Sequence, residues 1–200
     1  WASIQTIMNI DILLVFFYSY FLGSIPFGLI LTKLFLREDI RKIGSGNIGA
    51  TNVLRTGKKF LAIMTLMLDV IKGFLTVYAT SIYFNDFVYL AALICFIGHI
   101  YPVWLKFKGG KGVAVYLGTI IFISFKCAVI FGLIWIITLF IYKFSSLSSI
   151  ISALFVFVYS VFLNNFSLSL YVIIAFIIML FTHKENIMRL RNKTENKIKF

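Results

Sequence analysis

Acidic side chains are scarce in this chain. Asp and Glu together number seven among 200 residues, against 19 Lys and Arg. The four aspartates, Asp11, Asp39, Asp69 and Asp86, lie far apart in the sequence. That argues against the clustered aspartates by which a membrane phosphotransferase or prenyltransferase would hold Mg²⁺. There are two cysteines, Cys95 and Cys127, so neither a disulfide framework nor a zinc site is expected, and both read as buried free thiols. Charged residues of both signs make up only 13% of the chain, about half the usual share of a soluble domain. No polar block is long enough to bury a core of its own. The first residue is Trp1 rather than Met, consistent with a trimmed or engineered start. The first apolar run is too long for a signal peptide and has no basic leader.

Apolar residues fill the space that charge leaves. They are 61% of the chain, and 23 residues are Phe. Runs of about twenty apolar residues recur, as a polytopic helical membrane protein requires. The fold class expected is all-α and integral to the membrane, one domain over residues 1–200, with about seven spans: Asp11–Leu36, Phe60–Phe84, Phe87–Phe107, Gly112–Phe125, Cys127–Tyr142, Leu147–Leu163 and Leu168–Thr182.

The net charge of +12 would suggest nucleic acid in a soluble protein. Here the cations sit between spans, and no nucleic-acid partner is expected. Seven crossings put Arg37, Arg41, Lys42, Arg55, Lys58 and Lys59 on the same side as Lys106, Lys108 and Lys111. Lys143 falls there too, with Lys184, Arg189, Arg191, Lys193, Lys197 and Lys199 of the tail. The opposite side keeps only Lys126. The positive-inside bias makes the rich side cytoplasmic, with the N-terminus outside and the C-terminus inside.

Three polar segments therefore fall on one expected face and could converge on one site. The first runs from Gly44 to Asn52 and is followed by Arg55; Ser45, Asn47, Thr51 and Asn52 offer donors, and Arg55 a fork suited to phosphate. Its glycine spacing imitates a dinucleotide fingerprint but lacks the strand–turn–helix setting. The second is Lys108, Gly109, Gly110, Lys111 and Gly112. It is not a Walker A loop, since Leu105 stands where its first glycine should be. A glycine turn opening a helix presents N–H groups and a positive dipole end, and two lysines add charge. The third runs from Thr182 to Arg189. His183 and Asn186 share a helix face, with Arg189 three residues on, and His183 has the chemistry of a general base. Ser146 opens a small-polar turn readable as a helix cap or as a donor to substrate. Asp69 and Lys72, three apart inside a span, read as a structural pair. His99 stands where the third span leads into the second segment.

Together these residues resemble the bacterial acyl-phosphate:glycerol-3-phosphate acyltransferases of the PlsY type. The resemblance runs through Gly23–Gly28, Gly44–Asn52 with Arg55, Asp69–Gly73, Gly98–Pro102 with Phe107–Ala114, Ser146–Ile150 and His183–Leu190 with Thr194 and Glu195. Departures lie at motif edges: Val115 where Thr is usual, Lys193 where Gly is common, and Thr182 where a basic residue is usual. The resemblance implies transfer of a fatty acyl group from acyl phosphate to the 1-hydroxyl of glycerol 3-phosphate, giving lysophosphatidic acid and inorganic phosphate. It implies no metal, no cofactor and no acyl-coenzyme A, a bacterial inner-membrane location with a cytoplasmic site, and a functional monomer. His183 and Asn186 would be catalytic, with either His183 or a substrate phosphate oxygen as the base. Ser45, Asn47, Thr51, Asn52, Arg55, Lys108 to Gly112, Ser146 and Arg189 would bind substrate. No His-x-x-x-x-Asp pattern of thioester-dependent acyltransferases is present: Trp104 and Met188 stand five residues after His99 and His183. A transporter of an organic anion is the alternative.

Overall fold

The computed structural model describes residues 2–198, with side chains from Met8 onward; Trp1 and Lys199 lie outside the described residues. Those residues are helical with no strand, and fall into two compact units, Trp1–Phe122 and Ile123–Phe200.

The first unit holds α1 (Ala2–Gly23), α2 (Phe27–Leu36), the short α3 (Ala50–Leu54), α4 (Lys59–Tyr83), α5 (Val88–Ile100) and α6 (Val113–Ile123), which ends at the boundary. The expected first span, Asp11–Leu36, is two helices. Pro26 lacks an N–H and disfavours helix in the residue before it, so the chain breaks at Ser24–Pro26. A break inside a bilayer leaves carbonyls that need partners. Trp104 donates its indole N–H to the Ser24 carbonyl (2.8 Å), and Lys72 donates to that of Ile25 (2.7 Å). Against α1, α5 packs backbone to backbone: a Cβ on Gly98 would lie 2.5 Å from the Tyr20 carbonyl. Likewise α6 lies tight on α4, where a Cβ on Gly73 would meet the Val115 carbonyl at 2.5 Å. Small residues of this kind let membrane helices approach closely.

The second unit holds α7 (Phe125–Tyr142), α8 (Ser145–Val161), α9 (Phe166–Thr182) and α10 (Lys184–Arg191). Here α8 packs between α7 and α9, and α10 touches both α8 and α9. The serines of α8 are not its cap. The residue before the helix is Phe144, without a capping side chain, and Ser148, Ser149 and Ser152 return their hydroxyls to carbonyls four residues back. Such back-bonding satisfies hydroxyls in an apolar setting.

Seven apolar helical stretches stand where the hydropathy pattern puts them, but not all match a bilayer. Four are long enough to cross: Met8–Leu36, Lys59–Tyr83, Asn85–Leu105 and Phe125–Tyr142. A fifth is reached if Phe166–Thr182 and Lys184–Arg191, bent by 60°, form one span. Of the shorter ones, α8 has 17 residues and α6 has 11. At 1.5 Å per residue α6 is about 16 Å long, roughly half a hydrocarbon core.

Candidate active site

The first polar segment is a closed loop. It begins with a single 3₁₀ turn at Ile40–Lys42, capped by Asp39, which accepts from the Arg41 amide (3.0 Å) and guanidinium (2.6 Å). The side-chain hydrogen bond from Arg41 holds the Asp39 carboxyl at about 2. Gly44 takes φ +58°, a left-handed backbone that glycine adopts without strain, and a Cβ there would run into the Asn52 side-chain oxygen Oδ1. Asn52 is expected as a donor to substrate, but its amide closes the loop instead. Its nitrogen donates to the carbonyls of Ile40 (3.1 Å), Ile43 (2.9 Å) and Asn47 (2.8 Å), and its oxygen accepts from Ser45 N–H (2.9 Å). Two amide hydrogens shared over three carbonyls leave no donor to spare. Asn47 is turned inward as well, its side-chain oxygen accepting from Gly49 N–H (2.8 Å). Ser45 and Arg55 are exposed, and the Arg55 stem lies over Gly44. Thr51 sits half-buried at the start of α3.

The second segment shares an apolar floor with the first. Ile40, Ile48, Val53, Leu29, Leu61 and Ala62 form a buried cluster against which Ile43, Leu54 and Leu105 pack. Beyond Leu105 the chain reverses through two left-handed residues, Lys106 (φ 53°) and Phe107 (φ 60°). It returns antiparallel to the end of α5, with Gly109 N–H donating to the Ile100 carbonyl (2.9 Å) and Gly110 N–H to that of His99 (3.0 Å). The N–H groups of these two glycines are therefore not the anion donors that the sequence suggests. The glycines serve close packing: a Cβ on Gly109 would strike the His99 carbonyl, and one on Gly110 the His99 ring. The N–H groups left without an intrahelical partner belong to the first turn of α6, which Gly112 (φ +82°) opens. Lys108 is exposed and Lys111 half-buried at this dipole end.

Beneath the turn lies a buried polar cluster. Lys72 pairs with Asp69 (2.7 Å) and contacts His99 Nδ1 (2.9 Å), besides the Ile25 carbonyl; all three side chains are at most 5% exposed.

In the second unit, His183 stands at the 60° bend between α9 and α10 and is 2% exposed. Its Nδ1 lies 2.9 Å from the Met179 carbonyl. A carbonyl only accepts, so Nδ1 carries the proton and the lone pair sits on Nε2. One turn on, Asn186 donates to Glu195 Oε1 (2.6 Å), which also accepts from Ser146 (3.0 Å). Arg189 holds the other oxygen (2.7 Å). Glu195 thus binds three residues expected to touch substrate. Burial would raise its carboxyl, but hydrogen bonds from Arg189, Asn186 and Ser146 outweigh that and hold it below the ordinary value. It lies nine residues past Asn186, beyond the end of α10, so helical spacing gives no hint of the contact.

Known proteins resemble this chain over most of its length. The sequence model of the family described as glycerol-3-phosphate acyltransferase matches residues 13–193. A glycerol-3-phosphate acyltransferase of Pelagibacter ubique is 49% identical over 189 residues, covering 94% of this chain and 98% of that one. Another, of Ehrlichia canis, is 50% identical over 184 residues, 90% of this chain and 95% of that one. The crystal structure of PlsY (YgiH), an integral membrane glycerol 3-phosphate acyltransferase, in its glycerol 3-phosphate form, superposes with a TM-score of 0.89 at 32% identity, covering 94% of this chain and 96% of that one. Its lysophosphatidic acid form gives 0.86 at 31%, covering 94% and 95%. With the glycine turn, the amide-closed loop and the bent His–Asn helix all in place along its length, the chain belongs to the glycerol-3-phosphate acyltransferase family.

Proposed function

We propose that this protein acylates the 1-hydroxyl of glycerol 3-phosphate with a fatty acyl group from acyl phosphate, releasing lysophosphatidic acid and inorganic phosphate. The observation that carries this is the match, over 94% of the chain, to an acyltransferase structure in a glycerol 3-phosphate form. Acyl phosphate is a mixed anhydride and already activated, so positioning and oxyanion stabilisation supply most of the catalysis. The hydroxyl oxygen forms a bond to the acyl carbon, the bond from that carbon to the phosphate oxygen breaks, and the phosphate leaves with its electron pair. The hydroxyl proton passes to His183 Nε2, whose lone pair is set by the Nδ1 contact with Met179, and from there to the departing phosphate, which restores the neutral imidazole. Asn186 helps aim the hydroxyl.

In the first unit, the opening turn of α6 with Lys108 and Lys111 takes the phosphate of glycerol 3-phosphate. Arg55, Ser45 and Thr51 supply the remaining donors. The protein works as a monomer in the bacterial inner membrane, crosses it seven times, and keeps these segments on the cytoplasmic side, where 16 cations face one. Incubating purified protein with labelled glycerol 3-phosphate and palmitoyl phosphate in lipid tests the reading: labelled lysophosphatidic acid is the expected product. Uptake of unmodified label into vesicles, with no lipid product, would instead establish the transporter.

A further inference from the structure

We infer that Asp69, Lys72 and His99 form one positioning unit that sets the glycine turn 108–112 for glycerol 3-phosphate; this rests on the acyltransferase reading above. Three elements of the first unit meet at Lys72. Its ammonium pairs with Asp69 on the same helix (2.7 Å), donates to the Ile25 carbonyl freed by the break before α2 (2.7 Å), and reaches His99 Nδ1 on α5 (2.9 Å). An ammonium can only donate, so His99 Nδ1 accepts and the ring proton sits on Nε2. One ring orientation is thereby fixed. That ring fills the place where a Cβ of Gly110 would stand, and the His99 carbonyl accepts from Gly110 N–H (3.0 Å). The next carbonyl, of Ile100, accepts from Gly109 (2.9 Å). The turn is thus held from both its backbone and its missing side chain by one residue, and Lys72 orients that residue. Trp104, donating to Ser24 on the other carbonyl of the same break, ties the outer limb of the turn to the same anchor.

A pair that served only to stabilise α4 would not need a third partner. Asp69 and Lys72 are already neighbours at i,i+3. The contact between them is short but not aligned as a hydrogen bond, since Asp69 Oδ1 has no directional donor. The lysine's directional bonds go instead to the Ile25 carbonyl at the break and to His99, the residue against which the turn packs. Buried charges this costly are retained where they serve a site. The lysine is buried, 4% exposed, so it acts through His99 and does not touch substrate itself.

The test is steady-state acyl transfer by Lys72→Gln, His99→Gln and the double variant, with both substrates varied. The inference predicts that KM for glycerol 3-phosphate rises about tenfold or more while kcat and KM for acyl phosphate change by less than about threefold. It also predicts that the double variant is no worse than about twofold beyond the worse single, because both act through one ring. A purely structural pair would reduce the active fraction, lowering kcat with KM unchanged. Should Lys72→Gln fail to fold, Asp69→Asn combined with Lys72→Gln leaves no uncompensated buried charge and still removes the ammonium from His99. It should show the same KM rise. Unchanged KM for glycerol 3-phosphate in any folded variant, or multiplied losses in the double, overturns the inference. Absence of acyl transfer by the unvaried protein would overturn the acyltransferase reading instead.

Discussion

Several residues that look alike in the sequence do different work. Asn47 and Asn52 sit in a polar segment suggesting substrate donors, and Asn186 in one suggesting catalysis, yet Asn52 spends its amide on three carbonyls of its own loop. Asn52→Ala would orphan those carbonyls and cost about 2–3 kcal/mol. A fall in melting temperature with KM for glycerol 3-phosphate unchanged in the folded fraction is the expected result; a raised KM at unchanged melting temperature would make Asn52 a ligand. Gly110→Ala should raise KM for glycerol 3-phosphate by displacing the His99 ring from its place. An unchanged KM would argue against the turn as the phosphate cradle. His183→Ala should lower kcat about 10²-fold or more, with KM little changed, the usual worth of a positioned base. A loss below tenfold would move the proton to the leaving phosphate. The sequence suggested that the glycines expose their amides. It could not show that Gly109 and Gly110 spend them on the end of α5, because that depends on the reversal at Lys106 and Phe107.

At the scale of elements, hydropathy marked the apolar stretches in which the apolar helices of the described residues lie, but read α1 and α2 as one span. The break in the first span carried its signal at Pro26, but its purpose appears only when Lys72 and Trp104 meet the freed carbonyls. The Asp69–Lys72 pair was readable from i,i+3 spacing. His99, 27 residues further, was not readable as its partner. The clasp at Glu195 was invisible for the same reason: the tail leaves the helical period before returning to α8 and α10. Because the folded carboxyl is held below its ordinary value of 4.5, the clasp's contribution is fully present above that value and is lost as pH falls through the lowered one. Hydrogen exchange at Ser146 and in α10 should therefore quicken as pH falls below 4.5 in the unvaried protein. The added acid sensitivity should vanish in Glu195→Gln. Equal acid sensitivity in both would place the titrating group elsewhere.

For the whole molecule, the proposed sidedness rests on 16 cations against one, and the proposed span number on the bent α9–α10 pair and on α6 and α8, the shorter apolar helices. With Cys95 and Cys127 replaced by Ala, a single cysteine at Lys126 should react with an impermeant maleimide in intact cells, and one at Lys58 only after lysis. Reaction of both before lysis would break the seven-span arrangement. The central claim is that this membrane protein draws on a pre-activated acyl donor and gives the acyl group to glycerol 3-phosphate. Release of inorganic phosphate from palmitoyl phosphate, by purified protein in lipid with and without glycerol 3-phosphate, tests it most directly. The account predicts release that glycerol 3-phosphate stimulates strongly and that matches lysophosphatidic acid formed one for one; release indifferent to glycerol 3-phosphate, or none, would contradict it.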